Sequence, residues 1–306
     1  MRTSATAFAP GSVGNVGPGL DILGLAVAGA GDRVTVRWRD DEQVVVDDAG
    51  HPDLPTDATL NTAAIAASAV LRRAAVTRGI SITVEKGLPL SGGQGGSAAS
   101  AVAGAVAANF LADAGYGHAV LLACALEAES TVAGRHADNL APSLLGGLVL
   151  VRSVEPMDLI RVPLPASLRI VLAHPDQRLR TRDARSVLPA EISRGLALQQ
   201  AANVAAMVVA AALGDLAMLG RALDDQIAEP ARAPLLPGFA AAKVAALASG
   251  ALGCSISGAG PTAFALVDGD SIGENVASAM IAAYAAAGIA ATARVAAVDN
   301  EGAQVW

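Results

Sequence analysis

The sequence predicts an α+β fold in which helices pack on one side of small sheets. Alternating apolar and polar residues indicate strands at 33–39 and 80–84, whereas the alanine-rich segment 61–76 carries Leu and Ile at helical spacing. The switch between these two periods recurs along the 306 residues, of which 53% are hydrophobic. This content is enough to bury a core and excludes a mainly disordered chain.

The rest of the first half repeats this alternation. Two more alanine-rich helices and two strands are predicted at 97–111, 120–129, 148–152 and 168–173. Three prolines separate the last two strands, Pro156, Pro163 and Pro165, which is typical of a joint between domains. We therefore predict two domains, residues 1–163 and 164–306.

The second half is mainly helical after its first strand and then returns to strands. Helices are predicted across 183–213, 216–227, 238–248 and 271–286. Strands are predicted near 254–257, 262–266 and 291–297. This order predicts a sandwich with helices on one side of a small sheet.

Composition and charge exclude several classes of function. The formal net charge of -7 comes from scattered acids, with no basic stripe or aromatic platform, so we expect no binding along a nucleic-acid backbone. The two cysteines, Cys124 and Cys254, stand far apart without metal-ligand spacing, so neither a zinc site nor a disulfide framework is expected. A reducing cytoplasm fits this cysteine usage.

The apolar stretches do not predict a membrane protein. The first ten residues lack a basic region followed by a long apolar run, so we expect no signal peptide. The stretches 97–112 and 201–214 fall short of the roughly 20 residues that cross a bilayer, and 276–298 is interrupted by Gly288 and Arg294. We expect a cytoplasmic protein with no membrane partner.

The strongest local signal is the glycine-rich segment PLSGGQGGSAAS at 89–100, which lies between a predicted strand and a predicted helix. Glycine permits positive φ and lets backbone N–H groups converge on an anion, while the helix start adds partial positive charge. An ordinary turn can have the same composition, but the flanking strand and helix favour a polyphosphate site. No lysine follows a suitable glycine, and the spacing G-x-G-x-x-G is absent, so the loop is neither a Walker A loop nor a dinucleotide fingerprint.

A second cluster of polar residues stands at the end of the helix 120–129 and just beyond it. A carboxylate near a phosphate loop is unfavourable unless a cation lies between them, so Glu129 with Ser97 could hold magnesium through oxygen ligands. A glutamate at a helix end is more often simply solvated. His136 is more often a structural hydrogen-bonding residue, and we assign it no role.

Two further loops combine small and polar residues. The segment 9–21 places Asn15 and Asp21 among Gly and Pro, where turn chemistry alone would also explain them. The segment 254–262 is a turn of small residues between two strands. Close contact with another loop or a ligand would explain it, and so would a plain hairpin.

Taken together and in this order, these segments resemble the GHMP small-molecule kinases, and more closely their homoserine kinase branch. The resemblance runs from about residue 5 to the end and has three anchors, NVGPGLD at 15–21, the loop at 89–99 and ISGAGPT at 256–262. The second and third are shared across the superfamily. The segments that resemble the homoserine kinase branch are HADNLAP at 136–142 with LGG at 145–147, DARSVLP at 183–189, and IAEPARAPLLPGF at 227–239.

The resemblance implies an amino-terminal α/β domain with a left-handed β-α-β crossover, a ferredoxin-like carboxy-terminal α/β sandwich, and ATP bound between them. It implies that ATP phosphorylates the side-chain hydroxyl of L-homoserine with Mg²⁺, in threonine biosynthesis, and that the enzyme is a homodimer. The residues implied to surround the amino acid are Asn15, Asp21, Asp138, Asn139, Arg185 and Arg232. The chemistry agrees, because an ammonium pairs with a carboxylate such as Asp21 and a carboxylate with the donor fork of an arginine.

The resemblance also assigns the phosphate end. ATP would contact Pro89, Leu90, Ser91, Gly92, Gly93, Gln94, Gly95, Gly96, Ser97, Ala98 and Ala99, with Ser257, Gly258 and Gly260 beside the phosphates. Ser97 and Glu129 would hold magnesium, and Asn139 would orient the substrate hydroxyl, which makes these three the implied catalytic residues. No base is assigned, because positioning and charge neutralisation can supply most of the catalysis of phosphoryl transfer.

The chain departs from the family pattern at a few positions. The family loop usually reads G-L-G-S-S-A, whereas residues 93–98 read GQGGSA, and Leu20 stands where phenylalanine is usual. The stretch between Glu129 and Asn139 is one residue short, which leaves Glu127 open as the metal ligand. Two alternatives also stay open: a GHMP kinase for another small alcohol, although a neutral sugar would need neither Arg185 nor Arg232, and a ligand-sensing relative without catalysis.

Overall fold

The computed structural model describes residues 2–132 and 134–306, which form two sheets with helices packed against them. The strands are β1 (Ser4–Gly14), β2 (Leu23–Trp38), β3 (Val44–Asp48), β4 (Ile80–Glu85), β5 (Leu148–Val154), β6 (Met157–Val162), β7 (Leu168–Pro175), β8 (Gly253–Ile256), β9 (Ala263–Asp268), β10 (Ala291–Ala297) and β11 (Gln304–Val305). The helices are α1 (Thr62–Arg73), α2 (Gly96–Leu111), α3 (His118–Val132), α4 (Leu140–Leu145), α5 (Thr181–Ser186), α6 (Arg194–Leu213), α7 (Leu216–Ala222), α8 (Ala228–Arg232), α9 (Phe239–Ala248) and α10 (Asp270–Ala286).

The first sheet is built around β2, whose 16 residues are long enough to pair with several neighbours. It pairs antiparallel with β1, β4 and β5, while β11 extends the sheet beyond β1 and β6 extends it beyond β5. Strands β3 and β4 pair in parallel and are connected through α1. This is the β-α-β unit that the resemblance implied. The left-handedness of its crossover connection stays a prediction.

Helices α1 to α4 cover one face of this sheet, and α2 lies at the centre of the packing. Helix α2 is apolar on all sides, as expected of a helix with no solvent face, and most of its residues are buried. A side chain at Gly104 would come within 2.4 Å of the carbonyl oxygen of Ala63 in α1. Small residues therefore allow the close approach that holds the start of α2 in place.

The second sheet contains the four strands β7 to β10 in the order β10-β7-β9-β8, all antiparallel. Numbered along the chain, this is the order 4-1-3-2 of a ferredoxin-like sheet. Side chains of β7 alternate between two cores: Val171 packs toward α9 and α10, whereas Ile170 packs toward α6, α7 and the first sheet. The core that contains Ile170 also contains residues of the first sheet, so it joins the two halves of the chain.

Several elements were missed by the sequence prediction. These are β1, β3, α4, β6, α8 and β11. Residues 9–14 belong to β1, so the interpretation of the whole segment 9–21 as a loop was wrong. The strand consists mainly of Ala, Gly and Ser, which carry little strand propensity, and its pairing register shifts between Pro10 and Gly11.

Two predicted helical regions end earlier or divide. The region 183–213 separates into α5 and α6, because the intervening residues include Pro189, which cannot donate a helical hydrogen bond. Helix α7 ends at Ala222, five residues before the predicted end. The domain boundary near Pro163 stays a prediction; it falls between β6 and β7, although β11 returns to the first sheet.

Helix α6 is 20 residues long and contains an 18-residue window with a mean hydropathy of 1.7, so by length and composition alone it could cross a membrane. It is longer than the apolar stretch expected from the sequence. One such helix is weak evidence for a membrane span. The buried Gln200 donates to the carbonyl oxygen of Pro18 and to Asp225, so hydrogen bonds as well as apolar contacts fasten α6 to the rest of the fold.

Candidate active site

A cleft of about 670 Å³ lies between the glycine-rich loop and the elements of the second half. The residues assigned from the sequence that line it are Asn15, Pro89, Leu90, Ser91, Gly92, Gly93, Gly95, Gly96, Ser97, Glu129, Asp138, Asn139, Arg185, Arg232, Gly258 and Gly260. The assigned residues that do not line it are Asp21, Gln94, Ala98, Ala99 and Ser257. The fold thus gathers into one cleft residues that are up to about 245 positions apart in the chain.

Hydrogen bonds to three successive carbonyl groups fix the orientation of the glycine-rich loop. Thr262 donates its hydroxyl to the Gly92 carbonyl, Ser257 donates to the Gly93 carbonyl at 2.6 Å, and the N–H of Ser12 donates to the Gln94 carbonyl at 3.1 Å. Each carbonyl shares a rigid peptide plane with the next N–H group, which points the opposite way. The loop is therefore held so that its N–H groups face away from these partners.

The backbone N–H groups of residues 93–98 are the donors that this orientation leaves free. None of them donates to an atom within the described ranges of the chain. Gly93 and Gly95 adopt φ of +75° and +70°, and Gly95 is the residue before the first turn of α2. Free N–H groups at the start of a 16-residue helix form a binding site for an anion such as a phosphate.

A buried ion pair lies next to the glycine-rich loop and holds its end in place. The ammonium of Lys86 pairs with Asp32, which is completely buried, and also donates to the carbonyl of Gly96 and the hydroxyl of Ser100, both at 3.0 Å. Asp32 accepts further hydrogen bonds from Ser100 and from the N–H of Gly87. Removing one partner of such a pair would leave an uncompensated buried charge. Lys86 and Asp32 were not assigned from the sequence, where neither stands in a motif.

The unusual Gln94 takes part in a network with the second half of the chain. It is buried and donates through Nε2 to the hydroxyl oxygen of Thr262 at 3.3 Å. The same oxygen lies 2.9 Å from Nδ1 of His174. Because the Thr262 hydroxyl gives its only proton to Gly92, the His174 nitrogen must be the donor. At the other altered position, a side chain on Gly96 would meet only ordinary contacts, the nearest at 3.4 Å.

Glu129 lies beside the loop, in the position expected of a metal ligand. It is buried, and Ser97 donates its hydroxyl to Oε2 at 3.0 Å. Burial, with the nearby charge of Asp138, raises the pKa of Glu129 to about 7. Glu127 instead points toward α1, where it pairs with Arg72 and Arg73.

The oxygens of Ser97 and Glu129 suit a hard divalent cation. A cation between them and a bound phosphate would also relieve the cost of burying the carboxylate. No group of three or more His, Cys, Asp or Glu side chains with metal-site geometry occurs in the described part of the chain. A metal held here would therefore need a ligand, such as a phosphate, to complete its coordination.

Asp138 and Asn139 connect the loop to the first motif. Asn139 accepts a hydrogen bond from Ser12 at 3.0 Å, and a side chain on Gly95 would come within 3.0 Å of the same Asn139 oxygen. Asp138 accepts from the N–H of Asn15 at 3.0 Å, and burial raises its pKa to about 6. The side-chain amide of Asn139 thus lies next to the backbone of the glycine-rich loop.

Arg185 and Asp21 form a pair at the opposite end of the cleft. The guanidinium donates from both terminal nitrogens to the carboxylate, at 2.7 and 3.1 Å, and Nδ1 of His136 lies 3.3 Å from the same carboxylate. The third donor of the guanidinium, Nε, is buried without a partner among the residues described. Asp21 therefore lies behind Arg185 and contacts the cleft through it.

Arg232 is the second guanidinium at this end and is only 2% exposed. It donates to the carbonyl oxygens of Ala184 at 3.1 Å and Gly258 at 3.0 Å. In residues 2–132 and 134–306 no carboxylate lies within ion-pair distance of it. Burial and the nearby charge of Arg185 lower its pKa, but an arginine stays charged, so Arg232 presents to the cleft a positive charge that has no ion-pair partner among the described residues.

The residues that the sequence reasoning missed are those that hold the loop in shape. They are Ser12, Asp32, Lys86, His174 and Thr262. Ser12 and Thr262 stand inside segments that the sequence analysis singled out, so their motifs were a usable signal. Lys86 offered only the fact that lysine is rare in this chain.

Two protein-family models match the chain, GHMP kinases N terminal domain at residues 61–147 and GHMP kinases C terminal at residues 207–286. A homoserine kinase of Chloroherpeton thalassium is 44% identical over 290 residues, covering 90% of both chains. The chain belongs to the homoserine kinase family of GHMP kinases. The homoserine kinase of Arabidopsis thaliana is 43% identical over 312 residues, covering 99% of this chain and 84% of its own.

The fold of this homoserine kinase family member matches a solved structure over its whole length. A crystal structure of homoserine kinase from Cytophaga hutchinsonii superposes with a TM-score of 0.96 at 40% identity, covering 100% of this chain and 98% of the other. The expected GHMP two-domain class is therefore confirmed, despite the altered residues in the loop.

Proposed function

We propose that this protein transfers the γ-phosphate of ATP to the side-chain hydroxyl of L-homoserine, giving O-phospho-L-homoserine and ADP, in threonine biosynthesis. The observation that carries the proposal is the combination of two anion sites in one cleft. The free N–H groups of the loop suit a polyphosphate. The guanidinium of Arg232, which has no ion-pair partner among the described residues, suits a carboxylate. Membership of the homoserine kinase family supports the same substrate pair.

The nucleotide would lie along the loop and the wall next to it. Its phosphates would accept hydrogen bonds from the N–H groups of 93–98, with the positive end of the α2 dipole behind them. The wall beyond the loop includes Leu54, Leu60 and Leu90, with the polar Asn61 among them. An apolar wall suits a nucleobase, whereas the side chain of Asn61 is already used to cap α1 and to bond the carbonyl of Pro55.

The amino acid would occupy the end of the cleft that contains the two arginines. Its α-carboxylate would pair with the guanidinium of Arg232, which lines the cleft. Its α-ammonium would lie on the side of Asp21 and Asp138. The carboxylate of Asp21 already pairs with Arg185 and does not line the cleft, so Asp138, which does, would be the carboxylate that the ammonium contacts directly.

In the transfer step, the substrate hydroxyl oxygen forms a bond to the γ-phosphorus while the bond from phosphorus to the bridging oxygen of ADP breaks. The hydroxyl proton passes to a phosphate oxygen or to water, and no side chain is assigned as base. Asn139 would hold the hydroxyl in line beside the loop. Phosphoryl transfer depends mainly on such positioning and on charge neutralisation.

Ser97 and Glu129 are the residues that would hold Mg²⁺. Bound there, the ion would neutralise charge on the β- and γ-phosphates. We further propose that the protein acts in the cytoplasm as a homodimer. The exposed side chains of Leu198, Val209 and Leu213 follow one face of α6 and provide apolar surface for a second copy.

Product analysis tests the proposed reaction. The protein is incubated with MgATP and L-homoserine, and the products are separated and identified by mass spectrometry and phosphorus NMR. We expect a phosphomonoester of homoserine in equal amount to ADP. ADP without a phosphorylated amino acid would contradict the proposal.

Replacing Asn139 with alanine is expected to lower kcat by about a hundredfold, because a misplaced acceptor loses in-line geometry. The KM for ATP should change less than threefold, since the N–H groups that bind phosphate remain. Asn139 makes no side-chain capping bond to α4, so the variant should fold. Asn203→Ala, outside the cleft, is the control, and an unchanged kcat in Asn139→Ala would refute the positioning role.

A further inference from the structure

Three arginines at alternate positions line the cleft on the chain that leads from β7 into α5. They are Arg178, Arg180 and Arg182. All three side chains are exposed at the mouth of the cleft, and those of Arg178 and Arg182 are 72% and 82% exposed. Nothing in the catalytic geometry above uses them.

The course of this segment places the arginines along the phosphate end. Arg178 reaches across the mouth to Asp53 at 3.3 Å, on the wall where the nucleoside would lie. Seven residues later Arg185 pairs with Asp21, where the amino acid would lie. Arg180 and Arg182 lie between these points, so the segment follows the open side of the cleft from one substrate to the other.

Apart from Arg232, which the proposed function assigns to the amino acid, the inner cleft has little free positive charge to offer a polyanion. Lys86 is paired with Asp32 and Arg185 with Asp21, while the carboxylates of Glu129 and Asp138 face the same space. The chain as a whole carries a formal net charge of -7. Attraction of a nucleotide triphosphate into this cleft therefore needs further cations close by.

The three arginines at the mouth are weakly paired. Arg178 shares one exposed contact with Asp53, and Arg182 approaches Asp183 only at 4.0 Å. Arg180 has no carboxylate within ion-pair distance in the part of the chain that the structure describes. Exposed pairs of this kind hold little free energy, so the guanidinium groups can turn toward a bound anion at small cost.

We propose that Arg178, Arg180 and Arg182 form a cationic rim that binds the triphosphate of the nucleotide and speeds its entry. The proposal rests on the nucleotide part of the proposed function and does not depend on the identity of the acceptor. The rim contacts phosphates and leaves the backbone site of the loop unchanged. Its contribution should grow with the number of phosphates and fall as salt screens it.

The test compares two triple variants that remove the same charge. Arg178→Gln, Arg180→Gln and Arg182→Gln are combined in one protein, and Arg33→Gln, Arg37→Gln and Arg221→Gln in the other. The control arginines are exposed, make no ion pair in the described ranges, and lie outside the cleft. Binding of AMP, ADP and a non-hydrolysable ATP analogue is measured by calorimetry without acceptor, at low and high salt.

At low salt, the rim variant should bind the ATP analogue about tenfold more weakly than the unaltered protein does. Its affinity for ADP should fall less, and its affinity for AMP should be unchanged. Its affinity for the ATP analogue should also depend less on salt. Equal losses for the three nucleotides, equal losses in the control variant, or no loss would each overturn the proposal. If the binding result holds but homoserine is not phosphorylated, the rim stands and the proposed acceptor falls.

Discussion

Replacing Arg232 with glutamine is expected to raise the KM for L-homoserine about a hundredfold or more, because truncating one partner of a buried charge contact costs about 2–5 kcal/mol. The guanidinium has no carboxylate partner of its own in the described chain, so its charge is available to the substrate. The KM for ATP should change little. Steady-state kinetics with each substrate varied in turn measures both values.

A matched substrate separates recognition from structural damage in this variant. The compound 3-aminopropan-1-ol is homoserine without its carboxylate, and the unaltered protein should strongly prefer homoserine over it. In Arg232→Gln this preference should largely disappear, whereas general damage would lower both activities alike. Arg232→Lys keeps the charge without the planar fork and should recover part of the preference. An undiminished preference in Arg232→Gln would contradict the assignment.

Replacing Glu129 with glutamine is expected to lower kcat/KM for MgATP by about a thousandfold. The reason is that the negative charge on the phosphoryl group during transfer would be less well neutralised. Glutamine can still accept from Ser97 and has nearly the same shape. The control is Glu127→Gln, two positions away, which removes only the pair with Arg72 and Arg73 and should keep near-normal activity. Equal losses in both variants would argue against a specific role of Glu129.

The pKa of Glu129 makes the same assignment testable by pH. Its folded value of about 7 lies above the ordinary value of 4.5, so the folded protein without metal retains a proton there that the unfolded chain has lost. Stability from this group therefore decreases as pH rises from about 4.5 through about 7. Mg²⁺ requires the ionised form, so the Mg²⁺ concentration for half-maximal rate should rise as pH falls below 7. Glu129→Gln should abolish both the fall in stability and the change in Mg²⁺ requirement with pH.

The strand, loop and helix around residues 80–111 were predictable because their determinants are local. A strand, four glycines, Ser97 and the start of a helix follow one another within about twenty residues, and the structure places them as expected. Glycine at 93 and 95 is required by positive φ. The local sequence could not show which of Glu127 and Glu129 faces the cleft, because this depends on the arginines of α1 that hold Glu127 away from it.

The side chains that hold the loop in place were not predictable, because their contacts join segments that lie far apart in the sequence. Lys86 and Asp32 are 54 residues apart, and Gln94 and Thr262 are 168 apart. Neither pairing leaves a periodic signal in the sequence. Strand β1 was missed for a different reason, since its small residues pack under α2 without showing clear alternation. The pairing of Arg185 with Asp21 likewise follows only from the folded geometry.

The most direct test of the account is ADP release with MgATP and one of five acceptors: L-homoserine, L-serine, L-threonine, mevalonate or galactose. Turnover with L-homoserine is expected to be well above that with every other acceptor. Galactose lacks the carboxylate that Arg232 would bind, mevalonate lacks the α-ammonium, and serine and threonine carry the hydroxyl one carbon closer to the α-carbon. Preference for mevalonate or galactose would contradict the substrate assignment. No turnover with any of the five would contradict catalysis and favour a ligand-sensing relative that kept the fold.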